Sequence, residues 1–147
     1  MEKNSPVQKL KLLLQDLKTL MTQVDPEAQV YKEGSTASQI AFHAAGTANS
    51  WLKVKLLGGE FARDKESEFT KPHTVEEVNS ALDSAIAACD ELSAKDLDLN
   101  DKLSETVEMT NWNIETVGGA LIFLTAHTAG HVAELTMLRD YVSTLNS

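Results

Sequence analysis

A single cysteine, Cys89, leaves the 147-residue chain with no intramolecular disulfide to form. Nothing in it calls for an oxidising compartment, and a cytoplasmic setting is expected. Seven glycines and three prolines are too few for a linker-rich or disordered chain. No stretch approaches the roughly 18 to 20 consecutive apolar residues of a membrane span. The N-terminus lacks a basic segment followed by an apolar run and cleavage site, so neither membrane insertion nor signal-directed export is expected. Positive charge is scarce as well: 13 Lys and Arg stand against 22 Asp and Glu, a net charge of −9. That balance repels phosphate backbones, and no basic stripe with interleaved aromatics offsets it, so nucleic acid is not an expected partner. The acidity reads as a soluble, self-repelling surface.

What is present is an apolar fraction of 42% and a charged fraction of 24%, enough for one domain over residues 1–147 with a core that needs no staples. Helical periodicity dominates. Ser5, Pro6 and Gln8 form a helix start, and Val7, Leu10, Leu13, Leu14, Leu17, Leu20, Met21 and Val24 make one apolar stripe, which Asp25-Pro26 ends. Thr36 and Gln39 have capping-box spacing ahead of a second helix. Its inward face carries Ile40, His43, Ala44, Thr47, Trp51 and Val54, and Gly58-Gly59 closes it. Thr74 and Glu77 repeat the signal before Val75, Val78, Leu82, Ala85, Ile86, Cys89 and Leu92. The last helix begins near Thr116 and turns Val117, Leu121, Leu124, His127, Thr128, His131, Glu134, Leu135, Leu138 and Val142 inward. Residues 97–107 alternate only in part and are read as loop, since an isolated hairpin there is marginal. The charged connection over residues 58–73 is long enough to reach about 50 Å, so the second and third helices are expected to lie parallel. The fold class is all-α, a four-helix bundle with a long crossover between helices 2 and 3.

Three of the four histidines fall on core-facing stripes, where an imidazole costs free energy unless its nitrogens are satisfied. His127 and His131, four residues apart, sit one turn apart on a single helix face, a chelating arrangement. His43 from another helix would complete a three-nitrogen site inside the bundle with a coordination position to spare. The competing reading is that all three are hydrogen-bonded core residues and that no metal binds.

These segments resemble the DinB/YfiT-like superfamily of metal-dependent bundle proteins, which includes mycothiol- and bacillithiol-dependent enzymes. The resemblance rests on the stretch from Thr36 to His43 with Trp51 downstream, and on Ala126 to Glu134 followed by Leu138-Arg139. The order of elements over nearly the whole chain is also similar. It implies an up-down-down-up bundle, metal ligands at His43, His127 and His131, and a homodimer. For some relatives it implies transfer or isomerisation dependent on a low-molecular-weight thiol. The chain departs from the pattern at Glu134, where relatives often have glutamine. This candidate catalytic carboxylate has four readings: a ligand, an orienter of an imidazole, a base, or simply a partner of Arg139 or solvent.

Other residues are read more plainly. His73 is expected as a solvated loop residue beside a helix start, and Cys89 as a small core residue rather than a nucleophile. Trp51 and Trp112 could each wall a pocket or merely pack. Gly118-Gly119 lacks the context of a phosphate loop and suits close packing or a tight helix start. Two functional classes follow. One is an enzyme whose divalent metal, zinc or nickel first, activates a thiol or water against a small-molecule substrate; the water version is a hydrolase with Glu134 as proton acceptor. The other is a non-enzymatic metal-binding or stress-associated interaction module. An enzyme needs an exchangeable coordination position and an adjacent cavity.

Overall fold

A computed structural model describes residues 5–145. It is mostly helical, with helices α1 (Ser5–Met21), α2 (Ala37–Asn49), α3 (Ser67–Thr70), α4 (Val75–Ser93) and α5 (Val117–Leu145), and strands β1 (Lys102–Glu108) and β2 (Asn113–Thr116). The apolar stripe of the first helix is buried as its periodicity predicts: Val7, Leu10, Leu14 and Leu17 have no exposure. Ser5, read as a cap, is already the first helical residue. Thr36 caps α2 by accepting from Gln39 N–H while the Gln39 side chain returns to the cap backbone, a complete capping box. At α4 the box is half made. Thr74 accepts from Glu77 N–H, but the Glu77 carboxylate turns to His73 Nδ1 at 3.3 Å.

α2 packs against both α4 and α5, and α1 packs against the same two helices. The buried side of α2 is built of Ala37, Ala41, Ala44, Ala45 and Ala48, all without exposure. Side chains this small let its backbone approach its neighbours, which draws His43 toward α5. Leu82, Leu92, Leu121, Leu124 and Leu135 fill the space between, each stabilising the fold by about 1.5–3 kcal/mol through burial. α5 is apolar on more than its core side, leaving Ile122 and Met137 exposed. Among the described residues it alone is long and apolar enough, by length and composition, to cross a membrane, a property that core helices share.

Three expectations are corrected. The second helix does not stay α-helical to Gly58: Ser50–Leu56 is a π-helical segment, with Leu57 N–H reaching Leu52 O at 2.9 Å. The wider turn shifts the phase of the stripe, so Val54, expected inward, is exposed. Gly58 at φ 71° ends it in the left-handed region. Glu134, also expected inward, has a side chain 51% exposed. The stretch read as loop holds most of a strand, β1, which pairs antiparallel with β2 beyond it, in register Glu108↔Asn113 and Lys102↔Thr116. The hairpin is not isolated. Ile114 is fully buried in the core, and the strand runs straight into α5. Gly118 N–H donates to Leu99 O at 2.8 Å, an approach so close that a Cβ at Gly118 would stand 3.0 Å from that oxygen.

Full burial of Ile114, where Leu103 and Val107 pack only partly buried against the core, predicts that Ile114→Ala costs about 2–5 kcal/mol. Val107→Ala, at a half-buried position of β1, should cost clearly less. Urea denaturation of both variants measures this, and equal costs would show that Ile114 does not anchor the hairpin.

Candidate metal centre

The capping box that starts α2 sets the phase that turns His43 toward α5, and α5 presents His127 and His131 one turn apart. The three rings meet edge to face. Their centroids are 5.2 Å apart for His43 and His127, 5.1 Å for His43 and His131, and 4.6 Å for His127 and His131. One candidate ligand nitrogen from each ring lies within 4.8 Å of the other two, close enough to hold a metal ion. The residues singled out in the sequence are thus brought together from two helices.

Outer contacts decide which nitrogens face inward. His43 Nδ1 lies 2.9 Å from Glu68 Oε1, and His131 Nδ1 lies 2.9 Å from Glu134 Oε1. A carboxylate only accepts, so each ring donates its Nδ1–H outward and keeps a lone pair on Nε2. The Nε2 atoms of His127 and His131 are 3.4 Å apart. Two nitrogens bound to a tetrahedral zinc at its usual Zn–N length of about 2.0–2.1 Å would be separated by about 3.3–3.4 Å. Donor chemistry, and the spacing of this pair, therefore fit a metal ion. His127 differs from the other two in that its buried Nδ1 has no hydrogen-bond partner.

Electrostatics push the same way. Burial, and then the neighbouring His131 and His43, lower the His127 pKa to about 4. Burial also lowers that of His43, outweighing the opposing hydrogen bond that the ring donates to Glu68. Both rings are held neutral at physiological pH, the protonation state a metal ligand requires.

Glu134 Oε1 lies against His131 Nδ1, while Arg139 turns to Gln23 and Asp140 and does not pair with it. Trp51 is buried with its ring 4.9 Å from Phe123, which in turn lies 5.7 Å from His127, so it forms part of the wall behind the cluster. Trp112 is exposed at the hairpin turn, where its carbonyl accepts from Met109 N–H. Cys89 is fully buried, and burial drives its thiol up to about 12, as suits an inert core residue.

His73 is corrected. Instead of being solvated it is 6% exposed, stacked on Phe42 at 4.0 Å, with Nε2 3.0 Å from Ser67 O and 3.2 Å from Glu68 O. It pins the segment that carries Glu68. Sequence reasoning also missed Glu68 itself, 2% exposed, and Arg63, which grips both its carboxylate oxygens at 2.8 and 2.9 Å and reaches Thr47 Oγ1 at 3.0 Å. Both lie in a charged stretch without periodicity. One signal was available: Gly46, three residues after His43 inside a helix, marks a place where another chain segment comes close.

A cavity of about 720 Å³ lies between α2, α4 and the segment before α3. Arg63 and Glu68 line it, but none of the three histidines does. A second groove of about 480 Å³ runs along α5, where Glu134 shares its wall with Val30, Met137 and Tyr141.

The lowered pKa of His127 sets a pH dependence. Above pH 6.5 the ring is neutral in folded and unfolded chains alike. Between 6.5 and about 4 only the unfolded chain binds the proton, so stability falls as pH falls through that window and levels off below it. Thermal melts of chelator-treated protein from pH 7.5 to 4 should show that loss, and His127→Gln should reduce it; an unchanged pH profile in the variant would refute the assignment. No protein-family model matches the chain, and no curated protein or solved structure matches it either.

Proposed function

We propose that this chain is a cytoplasmic, divalent-metal-dependent enzyme of the DinB-like kind, with zinc or nickel held by His43, His127 and His131. Its reaction class would be low-molecular-weight-thiol-dependent transfer or isomerisation on a small electrophilic substrate. The observation that carries this reading is the convergence of three imidazole nitrogens with no fourth His, Cys, Asp or Glu in the cluster among the described residues. Three protein donors leave an exchangeable position, as catalytic rather than structural zinc sites do. A divalent ion there lowers the pKa of a coordinated thiol or water, which supplies a nucleophile at neutral pH.

The protein's own residues would do the rest. Glu134 orients His131 through Nδ1, and the groove it borders offers apolar walls for a small molecule. A hydrolase would use the same ligands, but Glu134 Oε1 is engaged with His131, which favours positioning over proton acceptance. The exposed apolar residues Ile122 and Met137 on α5 support a homodimer.

Contacts between side chains support an up-down-down-up bundle for the four long helices. Lys11 pairs with Asp90 and Lys18 with Asp83, numbers that run in opposite directions along α1 and α4. Asn49 reaches Ala81 and Lys53 reaches Ser84, rising together along α2, its π-helical extension and α4. His43 meets His131 while Trp51 meets Phe123, which makes α2 and α5 opposed. The parallel pair needs the long crossover over residues 58–73.

Elemental analysis of protein purified without an affinity metal tests the reading. Wild type should carry close to one ion per chain, and His43→Ala, His127→Ala and His131→Ala should each lose it. Loaded protein should then consume an electrophile in a thiol-dependent manner. A wild type that also fails to bind added zinc or nickel would defeat the proposal, and stoichiometric metal without turnover of any thiol or ester substrate would favour the non-enzymatic module.

A further inference from the structure

We infer that Glu68 is a positioning residue of the metal centre, locked by Arg63 over the Cβ-free face of Gly46, and that it fixes the tautomer and rotation of His43. The inference rests on the metal reading above and extends it to a segment far from the ligands in sequence.

The geometry is over-determined in a way that a solvated ion pair is not. Glu68 is 2% exposed, and the Arg63 side chain 18%. Arg63 meets both carboxylate oxygens through Nε and Nη2, a bidentate arrangement, and Nη2 also donates to Thr47 Oγ1. Oε1 accepts in addition from His43 Nδ1. Taking a carboxylate and a guanidinium this far out of water is expensive unless every bond is made, so such a pair is a poor way to gain stability alone. What it does accomplish is to hold one oxygen at one point beside His43.

Gly46 makes that placement possible. A Cβ there would overlap Glu68 Oε2 and would lie 3.1 Å from Cδ and 3.2 Å from Arg63 Nε. Only a residue without a side chain lets the carboxylate sit directly against α2, one turn from His43. The backbone of the same segment is held from the other side by His73 Nε2 at Ser67 O and Glu68 O, and by Gln39 Nε2 at Phe69 O and Lys71 O. The two clamps restrict Glu68 to a single approach.

The chemical consequence lies at His43 Nε2. With Nδ1–H committed to Glu68, the lone pair faces His127 and His131, and the ring cannot flip without breaking a charge-assisted bond. Losing such an outer partner typically weakens metal affinity by about 10- to 100-fold. Glu134 does the same for His131 from an exposed position, so of the two carboxylates Glu68 is the one shielded from competing water.

Two variants and two measurements test this. Gly46→Ala expels the carboxylate without altering any charge; Glu68→Gln removes the charge while keeping the shape. Competition against a chromophoric chelator, with zinc as the probe, should show affinity lowered about 10- to 100-fold in each. The double variant should be little worse than either single one, because both break one interaction. Long-range ¹H–¹⁵N correlation spectra of chelator-treated protein give a readout that needs no metal: His43 should be the Nδ1–H tautomer in wild type and lose that preference in Gly46→Ala. Circular dichroism checks that each variant is folded, and should Gly46→Ala unfold, Glu68→Gln carries both measurements alone. An Nε2–H tautomer in wild type, or zinc affinity within twofold of wild type in the folded variants, overturns the inference. A wild type with the expected tautomer that binds no zinc overturns the metal reading and this role with it.

Discussion

Three imidazoles with nitrogens within 4.8 Å of one another, half-buried between two helices, face a constraint that shapes the surrounding structure. They cannot all carry protons: each charge would be removed from water and set beside another of the same sign. Burial and mutual repulsion accordingly lower the pKa values of His127 and His43. Neutral rings, however, still present donors and acceptors that need partners. Glu68 and Glu134 take the outward N–H of His43 and His131, which leaves inward lone pairs concentrated in a small volume. A cluster of bare nitrogen lone pairs is poorly satisfied by hydrogen bonding among its own members and well satisfied by a cation. The proposed affinity for metal and the protonation pattern would thus be two faces of one arrangement.

The supporting structure serves that arrangement from unequal sides. α5 contributes two of the histidines through its own periodicity, so their relative position is local and robust. His43 must be brought from a separate helix, and its position depends on the alanine-lined approach of α2 and on the segment over residues 57–74. This connection has few apolar anchors. Its order comes from polar clamps: Arg63 on Glu68, Thr47 under Arg63, and His73 stacked on Phe42 with its Nε2 at two backbone carbonyls. Polar clamps are directional where apolar packing is not, and direction is what a ligand-orienting carboxylate requires.

Where sequence and structure part, the cause is consistently nonlocal. Val54 lies off the expected inward face because the helix winds as a π-helical segment from Ser50, which the 3.6-residue period does not foresee. The hairpin of β1 and β2 is weak as a local pattern and exists because Ile114 finds the core and Gly118 finds Leu99. His73 looked solvated beside Lys71-Pro72, yet its ring is enclosed by Phe42 and two carbonyl groups from a segment with no periodicity to read.

What the sequence determined by itself is therefore the set of features governed by neighbours along the chain. These are the apolar stripes of α1, α4 and α5, the Thr36 capping box, the burial of Cys89, and the pairing of His127 with His131 at one turn's spacing. Helical periodicity and cap hydrogen bonds act over three or four residues, so they are written into short stretches. Only the tertiary structure decided that His43 meets that pair, that Glu68 rather than solvent receives its Nδ1 proton, and that Gly46 is the position where the carboxylate can sit. Those are contacts between positions more than 20 residues apart for Glu68 and far more for α5. They depend on how small alanines, a long crossover and a buried ion pair settle the distance between helices, which no local pattern encodes.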